Sequence, residues 1–157
     1  MRTIGGGLTS LALLLLLSTA CASQSNDSLV FTIEQALATS PRGADFGRAV
    51  EGDWDRVCIF RPGTPYERVD SVLGRAWQRT RDTGIEAGAD ATLIVFADGR
   101  AVVRHVMYPV AKGDFGTPGP AQWYCRPRER AVFELRQPID GSIPWIGPVR
   151  DLPPEPS

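Results

Sequence analysis

Three thiols, one imidazole and a short run of carboxylates are the groups in this 157-residue chain that could do chemistry. The thiols are Cys21, Cys58 and Cys125. His105 is the only histidine, so any thiolate–imidazole pair must use it. Cys58 beside His105 would make a nucleophile, because the ring takes the thiol proton and leaves the reactive thiolate. Glu51, Asp53 and Asp55 lie close in sequence. Asp53 and Asp55 share a strand face if the strand starts that early, and two such carboxylates suit acid–base work or Ca2+ binding. Plainer roles outweigh these: a strand histidine ordinarily packs or meets solvent, and strand-edge acids are ordinarily solvated. Zinc needs close ligand pairs such as C-x2-C, and the chain has none. It also lacks a P-loop, G-x-S-x-G, H-E-x-x-H and an EF-hand loop. The expectation is therefore no catalytic residue, no metal and no cofactor. The enzyme reading, through Cys58/His105 or Glu51/Asp53/Asp55, is the alternative.

The elements around these groups begin with a leader. Arg2 supplies a positive start, Leu8 to Leu17 an apolar middle, and Ser18, Thr19 and Ala20 small residues before Cys21. That is the layout of a secretory signal peptide. The apolar part is about ten residues, short of the roughly 20 that a permanent membrane-spanning helix needs. An A-x-A-type cut at Ala20 and Ala22 would release a soluble protein starting at Ser23. The favoured alternative is that "LSTAC" resembles a bacterial lipobox, with Ser18 where leucine is commoner. The resemblance implies a diacylglyceryl thioether on Cys21, cleavage just before it, and often an acylated amine, with palmitate-type chains. Two or three buried chains anchor stably where one binds marginally. Ala22 after the anchor implies the outer membrane in many Gram-negative hosts. The expected partners are the membrane, through the anchor, and an envelope protein or peptidoglycan.

Export also decides the other thiols. An odd cysteine in an exported protein needs an explanation. Lipidation of Cys21 supplies one and leaves Cys58 and Cys125 to bond in an oxidising compartment. Chain entropy assigns such a loop about 4 kcal/mol.

Composition fits one packed domain. Hydrophobic residues are 43% of the chain, charged residues 22%, and the formal charge is −1. The balance argues against a nucleic-acid partner, which calls for a basic face. Lys112 is the one lysine among 17 basic residues. The basic turn "RPRER" (126–130) reads as solvated, or as a contact for anionic lipid headgroups.

Local signals divide the rest. Residues 1–20 read as signal peptide, 21–28 as lipidated cysteine and flexible tether, 29–147 as one domain, and 148–157 as a proline-rich tail. "TIEQALA" (32–38) predicts a short helix with Thr32 and Gln35 as a capping box. "DWDRVCIF" (53–60) predicts a strand. "TPYERVDSVLG" (64–74) predicts a helix capped by Thr64 and Glu67, striped with Tyr66, Val69, Val72 and Leu73, and stopped by Gly74. Residues 75–90 read as a long loop. Residues 91–109 read as a hairpin turning at Asp98-Gly99. "QWYC" (122–125) and "AVFELRQ" (131–137) read as further strands, and the end from Ile143 as extended chain with Trp145 packed on the domain. The order implies an α+β fold, a mainly antiparallel sheet with one or two short helices on one face.

From Thr64 to Val103 the run "TPYERVDSVLG … LIVFADGRAVV" resembles small bacterial lipoproteins and, more faintly, the SmpA/OmlA type. The latter resemblance implies a role in outer-membrane protein assembly. It covers about a quarter of the chain, transfers no site residue, and does not include the strand before the helix. The expectation for function is a lipid-anchored envelope protein that binds rather than catalyses.

Overall fold

The computed structural model describes residues 24–116 and 121–149. The leader, Cys21 and residues 150–157 of the tail lie outside the described residues.

Helix α1 spans Gln24–Thr39, followed by strand β1 (Ala44–Asp45) and the single turn α2 (Phe46–Ala49). Strand β2 (Arg56–Phe60) leads to helix α3 (Tyr66–Leu73). The hairpin is β3 (Ala91–Asp98) and β4 (Ala101–Pro109). Four short strands follow among the described residues: β5 (Asp114–Phe115), β6 (Trp123–Pro127), β7 (Val132–Arg136) and β8 (Trp145–Pro148).

The strands form two sheets of four, ordered β4-β3-β2-β6 and β1-β7-β8-β5. Every pairing is antiparallel except β5 with β8. The fold is α+β and mainly sheet. β2 and β3 are almost wholly apolar because both of their faces are covered. On one face, Val57, Ile59, Ile94, Phe96 and Val106 pack with Leu29, Ile33 and Leu37 of α1 and with the smaller sheet. There the rings of Phe46 and Phe133 stack at 4.4 Å, with Phe115 edge-on to both. On the other face, Cys58, Phe60, Leu93 and Val95 pack with Val69 and Leu73 of α3. The helices thus divide, α1 on one face of the larger sheet and α3 on the other.

The best-punctuated segments form close to their expected places. α3 ends where Gly74 turns left-handed (φ 74°), donating its N–H to Ser71 O. Its start differs: Thr64 donates its hydroxyl to Arg61 O instead of capping, and the Tyr66 N–H is taken by Glu86 Oε2 at 3.1 Å. The hairpin turn is one residue later than expected. Asp98 pairs with Ala101, which puts Gly99 and Arg100 in the turn.

Other segments depart further. α1 starts well before Thr32, so residues 24–28 are helical and not a flexible spacer. Thr32 is no cap, and its hydroxyl bonds back to Ser28 O at 2.9 Å. Leu29, 1% exposed and one turn ahead of Ile33, draws the polar run into the helix by its own burial. Residues 75–90 fold into two 3-10 turns, Arg81–Thr83 and Ile85–Ala87. Asp70 Oδ1 holds them, accepting from Trp77 N–H at 2.9 Å and the Thr80 hydroxyl at 2.6 Å. The expected extended end contributes an inner strand, β8, between β7 and β5.

Candidate functional site

Cys58 and Cys125 stand directly opposite each other in the β2–β6 register. They are bonded, with their Cα atoms 4.0 Å apart, and Cys58 has no exposed surface. Alternation along β2 puts Cys58 on the α3 side, between Val57 and Ile59 of the opposite core. The bond occupies the sulfur that a nucleophile would need.

His105 lies on the same cross-strand row, opposite Val95, which is itself opposite Cys58. One whole strand therefore separates the ring from the disulfide. The imidazole packs edge-on against Trp77 at 4.7 Å between centroids. Burial, with a further push from the Arg79 guanidinium, holds its pKa below the usual histidine value. The structure does not bring His105 and Cys58 together as a pair.

The carboxylates also separate. β2 begins at Arg56, so Asp53 and Asp55 share no strand face. Asp55 Oδ2 accepts the Gly99 N–H at 2.8 Å, and its Oδ1 lies 3.0 Å from the Arg56 guanidinium. It fastens the hairpin turn to the start of β2. Glu51 and Asp53 are exposed in the preceding bend. Among the described residues, no group of three or more His, Cys, Asp or Glu side chains is placed to hold a metal ion.

The basic turn is structural where it was expected to be solvated. Arg128 donates to Gly47 O at 3.2 and 3.1 Å and to Gly52 O at 2.7 Å. Its guanidinium also stacks over the Trp54 ring, 4.8 Å from the centroid. Arg126 donates to Val149 O at 2.7 Å. Arg130 and Glu129 remain exposed.

Among the described residues, two grooves flank α1. A groove of about 570 Å³ runs between α1 and the β1–α2 segment, lined by Phe31, Ala36, Gly43, Asp45 and Arg48 among others. A second, of about 630 Å³, lies on the other flank of α1 against the end of β4. Phe31 is common to both and 60% exposed, a ring left standing between two clefts. Sequence reasoning missed this ridge. The available signal was a phenylalanine out of step with the Leu29, Ile33, Leu37 spacing. A smaller groove of about 300 Å³ is walled by the Arg61–Asp114 ion pair at 3.2 Å.

The arrangement offers surfaces for contact, and Cys58, His105 and Asp55 are committed to bond, packing and turn. Comparison of the chain with protein-family models, curated proteins and solved structures finds no match.

Proposed function

We propose that the protein is an exported, lipid-anchored envelope protein that presents its α+β domain as a non-enzymatic binding module. The observation that carries this reading is the Cys58–Cys125 bond, with Cys58 buried and Cys125 half-buried against the same core. A disulfide within a core belongs to an oxidising compartment. With those sulfurs paired, Cys21 is the one remaining thiol of three, and it stands at the end of a signal-like leader. Acylation of Cys21 accounts for both facts. Binding is favoured over catalysis because Cys58, His105 and Asp55 each have a structural occupation. The partner is an envelope protein or peptidoglycan, and Ala22 favours the outer membrane where the host has one. Kinship with the SmpA/OmlA type remains part of this proposal and supplies no residue to it.

Intact mass of the protein from its own host tests the reading. The expected species begins at Cys21, carries diacylglyceryl and further acyl chains, and reacts with no thiol reagent. Cys21→Ser moves the protein from membrane to soluble fractions. An unmodified chain beginning at Ser23 overturns the anchor.

A further inference from the structure

We propose that the Phe31 ridge of α1 seats in the bilayer surface beside the lipidated cysteine, so that the domain lies on the membrane instead of swinging above it. The inference rests on the lipid-anchor reading of Cys21. It starts from a length. α1 begins at Gln24, so only Ala22 and Ser23 stand between the helix and the anchor. Consecutive Cα atoms are about 3.8 Å apart, which keeps Gln24 within about 11 Å of Cys21. A disordered run through residue 28 would have let the helix start at Leu29, up to about 30 Å away. The start of α1 is therefore held within about 11 Å of the anchor, close enough that a helix laid along the surface brings the residues beside it to lipid.

What lies there suits an interface. Phe31 is the one exposed aromatic side chain among the described residues. It is two turns along the helix, about 10 Å from Gln24 on the axis. Aromatic rings concentrate at the membrane–water boundary. Beside the ridge, Val30, Met107 and Pro109 line the 630 Å³ groove together with Lys112. The Lys112 stem can lie along apolar surface with its ammonium toward a phosphate. That ammonium is 2.7 Å from Glu34 Oε1, and Asp27 adds a further carboxylate. With two carboxylates against one ammonium this patch does not attract anionic lipid, and a zwitterionic bilayer is the fitting probe.

The test uses acylated full-length protein in phosphatidylcholine vesicles with brominated acyl chains. Phe31→Trp and Val103→Trp are compared with the parent, whose four tryptophans set the baseline. Val103 is also exposed, at 39%, but lies toward the hairpin turn. It is about 20 Å along β4 from Pro109. The expected result is that the indole added at position 31 shifts to the blue and loses most of its emission to bromine, while the one added at 103 keeps its emission. Protein that is acylated and floats with the vesicles, yet shows no quenching at 31, overturns the seating and leaves the anchor intact. Protein that lacks acyl chains and does not float overturns the anchor and the seating together. A blue shift at 31 that needs protein concentration and no vesicles assigns the ridge to a second copy, which also overturns the seating.

Discussion

The Arg128 guanidinium lies over the Trp54 ring while its donors reach three carbonyl oxygens of the 47–54 segment, closely those of Gly47 and Gly52 and at 3.5 Å that of Trp54. A planar fork serves a ring face and separated acceptors at once; lysine offers a single point charge. The neighbouring backbone is fitted to the same contact. A Cβ on Gly47 would come within 2.7 Å of Arg128 O, so position 47 accepts no side chain without moving the turn. Arg128→Lys should therefore destabilise the protein by about 1–2 kcal/mol, below the full value of charged hydrogen bonds because the group is partly exposed. Chemical denaturation measures it. Arg130→Lys, at an exposed position of the same turn, should change the midpoint little. Equal effects from the two would return the turn to the solvated role suggested by its composition.

Local chemistry marks some elements and tertiary burial makes others. α3 was legible because Pro65 and Gly74 act on their own backbone, and the hairpin because two apolar runs flank a turn pair. The beginning of α1 was not. Ser25 to Ser28 are poor helix formers, and their helix exists because Leu29 packs under the small sheet beside Ile33 and Leu37. Leu29→Ala tests that directly. A buried leucine lost from a core costs about 2–5 kcal/mol, whereas a leucine at a frayed helix end costs little. Denaturant midpoints give the cost, and amide exchange across 27–33 should accelerate in the variant more than exchange in α3. The same logic explains β8, whose prolines read as irregular chain until β7 and β5 supply partners on both sides. It also explains Asp55, whose place in a turn was decided by the position of Gly99, 44 residues away. Of the candidate site residues, the thiol pair was legible through compartment chemistry. Phe31 was not, because which helix face stays open depends on where the helix docks.

At the scale of the molecule, the disulfide lies close to the passage between the two sheets. β6 is an edge strand of the larger sheet, and two residues after Cys125 the chain leaves it through the Arg128–Arg130 turn to become β7 of the smaller one. Cys125 fixes that edge to β2 across 67 residues of chain. Opening the bond restores the entropy of that loop to the unfolded state, about 4 kcal/mol in the chain-entropy model. Domains of this size have only about 5–15 kcal/mol in total. The Cys58→Ala/Cys125→Ala protein should therefore keep its fold in mild buffer but unfold at much lower urea, with the midpoint insensitive to reductant. The parent midpoint should fall toward that of the variant once dithiothreitol reaches the bond. Because Cys58 is fully buried, reduction should be slow until urea opens the sheet edge. A parent protein whose midpoint ignores reductant even when mass shows the bond open would mean that the passage is held by packing and Arg128 alone.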